Sequence, residues 1–536
     1  MPIDEKNAIL SLAFCSLAIS RKGSWMEEQL KNISVLQSAF SHSDSDESIV
    51  SSFIQHAKLK EAKVCHSVDQ AFHMLRESYD ACLFHASQHA RTSGIDFCMT
   101  YPYLGLTIHK HRIAAPGIGI APGSSGRSVH ESGMYGTTIT KPDLFEAIYR
   151  GKFEEILSNK RCTIIVGISS RPIYLPFLNE KPFLDAKFSE NCLYELPYVF
   201  KLSDINDDIA NGLGEQETAV KPLSLFAADR VDYSMGRIAH YCGIDAEHFQ
   251  KYILFTNYSH CSDIFFEYAK ESLQNGSEYS EWVDPDNSFN ASSIKNSERK
   301  TEVADSVQMP AYHLKRKDGH GISVINIRVG ASNAKTITDH LAVLRPECWV
   351  MLGHCAGILH DQHLGDYVLA SGYVRKDFVL DSDVPLDAPI AMIPEVHSAL
   401  LGAIKEVSGY DDNDMSSKVK TGSVMSTVNR NWELRAGEFH EIFRRSRVVA
   451  VDMESATIAA NGFRFRIPYG VLLSVSDKPL HGELRMKEMA KMVYKQWTEQ
   501  HLRIGINAME KLRRKKFSTE GSYSRSFLEV GAPPLW

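Results

Sequence analysis

The sequence predicts an α/β fold. A central sheet flanked by helices is expected over residues 220–520, a smaller α/β N-terminal domain over 91–215, a helical N-terminal extension over 1–90 and a short C-terminal tail at 521–536. Three observations lead there. From about 220 onward, apolar runs of strand length alternate with runs of helical period, as in a largely parallel sheet covered on both faces. Composition breaks near 95 and at DINDDIANGLGEQE (204–217), which reads as a linker, divide a 536-residue chain that is too long for one ordinary core. Hydrophobic residues at 43% and charged residues at 23% are an ordinary globular balance.

Residues 1–90 read as helical with a polar loop at SHSDSDES (41–48). The apolar AILSLAFCSLAIS (8–20) resembles an export segment, but MPIDEKN before it places Asp4 and Glu5 against Lys6 where export needs net positive charge; a buried helix and a cytoplasmic location are the expectation. In 91–215 a Gly/Ser-rich stretch runs into the Thr-rich strand GMYGTTIT and a helix opened by Lys141-Pro142-Asp143. The later strands are GISVINIRV (321–329), CWVMLGHCA (348–356), KTGSVMSTV (420–428), VVAVDM (448–453) and YGVLLSVSD (469–477), with the helices SNAKTITDHLAVLR, PEVHSALLGAIKEV, EFHEIFRRS and ESATIAANGF between them.

The charge balance, Lys+Arg 59 against Asp+Glu 66, excludes a global attraction for nucleic acid or acidic membranes, so an anionic ligand needs a local pocket. Ten scattered cysteines lack metal-type spacing, and no metal site is expected. In a parallel sheet ligands collect at the carboxyl ends of strands. That rule gathers Gly330 to Asn333, Gly353-His354-Cys355, Asn429 to Trp432, Asp452 to Glu454 and Ser476-Asp477 around one crevice.

Asp477 follows a buried strand, where desolvation favours the neutral acid that can protonate a leaving group; a turn aspartate before Lys-Pro is the plain alternative. Glu454 opens a helix, where a carboxylate caps the first turn or faces sugar hydroxyls and a developing cation, and Asp452 is read as fixing the turn. The VGASNAKT turn offers backbone N–H groups to an anion but lacks a nucleotide-loop ending. His354 and Cys355 read as a pocket histidine and a packed thiol rather than a nucleophilic pair.

QMPAYHL (308–314), GISVINIRVGASNAKTITDHLAVLRPECWVMLGHCAG, LGDYVLA, NRNWELR and VVAVDMES through SDKPLHGEL together resemble the AMP nucleosidase family of the purine nucleoside phosphorylase superfamily. RVDYSMGRIAHYCG, HFQKYILFTNY and GMYGTTITKPDLF fit the same pattern upstream; the resemblance runs from about 95 to 510 and is most specific over 308–485. It implies a nucleoside-phosphorylase-like sheet and hydrolysis of AMP to adenine and ribose 5-phosphate. It assigns Asp477 as general acid to N7 of adenine, Glu454 to the ribose hydroxyls and Met453 to packing on the sugar. Ser476, Gly330, Ser332, Asn333, Gly353 and His354 would line the substrate site, and Arg430 and Trp432 the base wall. Arg127, Thr137, Thr138, Thr140 and Lys141, with Arg328, are candidates for the 5′-phosphate or for an effector.

No cofactor is required by this reading; related enzymes imply ATP as activator, phosphate as inhibitor and a homohexamer. Phosphorylases of the superfamily carry an Arg where this chain reads Met351-Leu352-Gly353-His354, so water is the expected nucleophile. A phosphorylase and a silent nucleotide sensor are the competing readings. Arg328, Ala331, Val428 and His260 depart from the family pattern.

Overall fold

The computed structural model describes residues 46–89, 99–108, 133–159, 162–173, 205–213, 219–258, 260–483 and 490–515. Arg127, the apolar segment 8–20 and the tail 521–536 lie outside them.

The N-terminal domain is a five-stranded sheet of β1 (Leu59–Cys65), β2 (Met99–Ile108), β3 (Gly133–Thr138), β4 (Cys162–Ile173) and β5 (Val220–Pro222), in the order β1-β4-β2-β3-β5. Helices Val68–His89 and Pro142–Asn159 cover one face, burying Phe72, Leu75, Phe145 and Phe153 with Leu104 and Ile164. Helix Asp46–His56 covers the other, where Phe53 packs with Leu59, Tyr103 and Ile165. The helical reading of 1–90 is corrected here: β1 is an antiparallel partner of β4, so 59–65 belongs to this sheet. The alternating pattern LKEAKVC was hidden by its Lys and Glu residues, which occupy the exposed positions. The polar stretch at 41–48 also ends inside a helix, which begins at Asp46.

The second sheet contains β6 (Tyr252–Thr256), β7 (Glu281–Val283), β8 (Ser288–Asn290), β9 (Ala311–Lys315), β10 (Ile322–Asn326), β11 (Cys348–Gly357), β12 (Tyr367–Lys376), β13 (Val419–Thr427), β14 (Ala450–Asp452) and β15 (Tyr469–Asp477). Its order is β14-β13-β12-β15-β11-β6-β10-β9-β7-β8, and β14 pairs again with β11. Helix Ala331–Leu341 packs on Ser455–Phe465 and on Ala228–Cys242, while Pro394–Ser408 packs on the long Ala490–Lys515.

The expectation of a largely parallel sheet needs correction. β6, β10, β11 and β15 run one way, but β12 is antiparallel to β15 and carries β13 and β14 with it. The β14–β11 pairing is antiparallel and closes five strands into a ring. No helix among the described residues is long and apolar enough to cross a membrane.

The two domains meet along helix Ala228–Cys242, whose first turns are charged yet buried. Asp232 accepts from Tyr101 at 2.5 Å and from Thr140 at 2.6 Å, and Arg171 pairs with Asp229 at 2.5 Å. The stretch read as a linker is docked at the same place. Asp207 pairs with Arg230 at 2.7 Å and with Arg464 at 3.0 Å. Burial raises the Asp207 carboxyl, but these two guanidinium groups outweigh it and hold the group below the usual carboxylate range.

Asp207→Asn is therefore expected to lower stability by about 2 kcal/mol at pH 7, since it weakens charge-assisted bonds to two buried cations. Because the folded value is depressed, the Asp207 contribution is complete above the unfolded value of about 3.9 and disappears as pH falls through the folded one. Denaturant midpoints of the two proteins, compared from pH 7 down to acid, should converge only in that acid window. An equal midpoint at pH 7 would refute the docking role.

Candidate active site

A strand has two edges, and β11 must serve three neighbours. β15 takes one edge along its length, through the pair Ala356 and Asp477. The other edge is shared: β6 pairs with it up to Leu352, and β14 takes over at Ala356 and Gly357. Residues 353–355 lie in the interval between these partners. A cavity of 240 Å³ opens there, lined by Asn257, Val329, His354, Cys355, Ala356, Thr427, Arg430, Trp432, Glu433, Val451, Asp452, Met453, Glu454, Ser476 and Asp477.

The β14 end is built around Asp452, which is 5% exposed. One carboxylate oxygen accepts from Ser426 of β13 at 2.6 Å, and the other from the backbone N–H of Ser455 at 2.9 Å and from the Ser455 hydroxyl. Ser426 Oγ in turn accepts from the N–H of Ala456 at 2.8 Å. Two of the orphan N–H groups of the following helix are thereby satisfied, and the turn that carries Met453 and Glu454 is locked.

Glu454, 1% exposed, reaches across to the β10 turn, where the N–H of Gly330 donates to Oε1 at 2.6 Å. Gly330 has φ +116, a conformation that side chains resist, so the turn that aims this N–H at Glu454 favours glycine. Burial raises the proton affinity of Glu454, the neighbouring Asp452 charge raises it further, and the Gly330 and Met453 N–H groups and Arg430 oppose the shift. Asp452 is raised by its own burial against its serine hydrogen bonds. Two carboxyls so placed resist double ionisation.

Asp477 emerges at a bulge. Cys355 pairs with Val475 and Ala356 with Asp477, leaving Ser476 as the extra residue. The bulge re-aims the end of β15, and Ser476 Oγ donates to Asp477 Oδ1 at 2.6 Å. Cys355 is a buried thiol whose proton affinity is raised by burial and by the charges of Asp452 and Asp477, which removes it as a nucleophile. His354 packs edge-on against Tyr258 with ring centres 4.4 Å apart, and the Tyr258 hydroxyl lies 2.6 Å from His501 Nδ1.

AMP nucleosidase of Escherichia coli (strain K12) is 42% identical over 426 residues, 76% of this chain and 84% of that protein. The chain belongs to the AMP nucleosidase family. Its two halves match family models separately: residues 61–221 match the bacterial AMP nucleoside phosphorylase N-terminus, and residues 290–508 the phosphorylase superfamily. The first match begins inside the segment read as an extension, in agreement with the place of β1 in the sheet. A 5′-methylthioadenosine/S-adenosylhomocysteine nucleosidase of Desulfotalea psychrophila is 23% identical over 171 residues, 31% of this chain and 71% of its own length. The crystal structure of AMP nucleosidase from Bacteroides thetaiotaomicron VPI-5482 is 27% identical, covers 53% of this chain and 99% of its own, and has a TM-score of 0.40.

Among the residues that the family resemblance singled out, Asp477, Glu454, Asp452, Met453, Ser476, Arg430, Trp432 and His354 line the one cavity. Gly330 reaches it through its N–H, and Gly353 lies in the β11 interval. Trp432 is 5% exposed and packs its ring on Phe439 and Phe443, so it forms a fixed wall.

Ser332 and Asn333 depart from expectation. Ser332 is exposed on its helix, and Asn333 ties down its own loop, donating to Ile327 O at 3.1 Å and accepting from Gln308 at 3.0 Å. Neither lines the cavity; Val329 does.

Arg328 is exposed, sits at φ +60 and donates to Gln308 O at 3.2 Å. That positive φ accounts physically for the glycine of the family pattern at this point.

Thr137, Thr138, Thr140 and Lys141 also lie away from the cavity. Thr138 accepts from the N–H of Ala228 at 2.9 Å and Thr140 donates to Asp232, so these hydroxyls hold the two domains together. Lys141 faces Glu247 at 3.5 Å. Asn257, Thr427 and Glu433 were missed. Asn257 follows a strand end and was open to the same rule that found His354, while Glu433 sits inside the quoted NRNWELR.

Proposed function

We propose that this enzyme hydrolyses the N-glycosidic bond of AMP, releasing adenine and ribose 5-phosphate. The observation that carries the reading is one cavity in which Glu454, buried and oriented by Gly330, and Asp477, re-aimed by the β15 bulge, are set at the ends of different strands. Cleaving this bond builds positive charge on the sugar and negative charge on the base. Glu454, with Met453 beside it, takes the sugar, and Asp477 protonates N7 of adenine. Trp432 provides the rigid wall for the base. Arg430, the only Lys or Arg among the described lining residues, is available to the 5′-phosphate.

Water is the nucleophile that fits. Among the described residues that line the cavity, Arg430 is the one guanidinium, so none is left to fix a second, inorganic phosphate. This reading takes ATP and phosphate as effectors acting through the N-terminal domain, and the enzyme as a cytoplasmic homohexamer.

The test is product identity. Incubation with AMP in phosphate-free buffer should yield adenine and ribose 5-phosphate. Ribose 1,5-bisphosphate, formed only when phosphate is added, would establish a phosphorylase instead. AMP binding without turnover would establish a sensor.

A further inference from the structure

Asn257 occupies a position that the catalytic carboxylates leave unaccounted for. It follows the last residue of β6, next in line after the pair Thr256 and Leu352, and so stands beside Gly353 of β11. A Cβ on Gly353 would lie 3.6 Å from Asn257 Nδ2, so the amide nitrogen is turned toward β11. Its Oδ1 is buried and accepts no hydrogen bond from any described residue, although Asn257 lines the cavity. A buried amide oxygen without a donor costs stability unless something polar reaches it.

Its distance from Asp477 decides what that something is. Asn257 and Asp477 lie on strands flanking β11, level with Gly353 and Ala356 respectively. Two strand spacings across and three residues along are each about 10 Å, which puts the Cα atoms about 14 Å apart. With both side chains lining the one cavity, that spacing leaves room for a sugar between an acid and a water-directing group, the arrangement that inverting glycosidases use.

We propose that Asn257, through Oδ1, holds the attacking water on the face of the ribose turned away from adenine. The inference rests on the hydrolytic reading above. As the C1′–N9 bond breaks, its electron pair stays with adenine, which takes a proton at N7 from Asp477. The water oxygen forms the new bond to C1′ and releases one proton to solvent, from which Asp477 is reprotonated. An amide oxygen is too weak a base to take that proton, so Asn257 is a positioning residue: it fixes the direction of a lone pair.

The experiment compares wild type, Asn257→Ala and Asn257→Asp with AMP in phosphate-free water and in water–methanol mixtures. Asn257→Ala should lower kcat roughly 10²-fold with KM for AMP within about twofold. It should also raise several-fold the share of methyl riboside 5-phosphate over ribose 5-phosphate, because water loses its reserved place. Asn257→Asp keeps an acceptor of the same shape and should recover kcat to within about tenfold of wild type while keeping the wild-type methanol share. Unchanged kcat and methanol share in Asn257→Ala would overturn the proposal, as would a loss confined to KM or to melting temperature. Failure of the wild type itself to release adenine from AMP would instead remove the hydrolytic reading, and this inference with it.

Discussion

Asp477→Asn is expected to lower kcat roughly 10²–10⁴-fold, the usual worth of general acid catalysis, while AMP binds with nearly unchanged affinity. The amide keeps the size of the carboxyl group and can still accept from Ser476, which donates to Oδ1 at 2.6 Å, so the bulged end of β15 should keep its conformation. What it loses is the ability to deliver a proton to the departing purine. Each factor of ten corresponds to about 1.4 kcal/mol of barrier, so the effect amounts to about 3–5 kcal/mol. Turnover and the dissociation constant for AMP, measured on the same preparation, separate the roles. A variant within a few-fold of wild-type kcat would remove Asp477 from the chemistry, and one that no longer binds AMP would make it a binding residue.

Glu454→Gln should cost roughly 10²–10³-fold in kcat, because the carboxylate facing a sugar cation is replaced by a neutral group of the same shape. The pH behaviour is the sharper check. Burial first, and Asp452 second, raise the Glu454 carboxyl above the usual value of about 4.3. The group works as an anion, so kcat/KM should climb with pH along a limb displaced above the ordinary carboxylate range. Asp452→Asn removes the neighbouring negative charge and should shift that limb to lower pH.

Stability should run the other way. Between the unfolded and the raised folded value the native state binds more protons than the unfolded chain, so stability falls as pH rises through that window. Glu454→Gln should remove this slope and melt no lower than wild type at the alkaline end, a protein made sturdier by losing its charge. A wild-type activity limb in the ordinary carboxylate range, or a glutamine variant that is both active and less stable, would refute this account.

Much of this was legible in the chain itself. Buried β15 and β11 are nearly continuous apolar runs, and such runs signal strands whatever surrounds them. Helix 455–465 announces itself through Asp452, which accepts from the N–H of Ser455, although the Ser426 hydroxyl that takes the next N–H comes from β13. β1 escaped because an exposed-face alternation rich in Lys and Glu is shared by surface helices. Asp207 was misread for a related reason: acidic and glycine-rich composition marks an irregular path, not whether that path is solvated or clamped by Arg230 and Arg464. Ser332 and Asn333 follow the right strand end, but both fall in the first turn of helix Ala331–Leu341, and which side of that turn faces the cavity is set by how the chain leaves β10.

The sequence by itself determined most strands of the second sheet and placed Asp452, Glu454 and Asp477 at strand ends, because those follow from local hydrophobicity and period. Only the tertiary structure decided how the acids meet. Asp452 ends β14 and Glu454 lies just beyond it, on a strand that runs opposite to β15, so an open sheet would have put them at the edge away from Asp477. They converge because β14 returns antiparallel onto the end of β11 and closes the ring, and strand pairing over such distances is a property of the whole sheet. The same closure leaves residues 353–355 between β6 and β14, and with them the cavity that both Asn257 and Asp477 line.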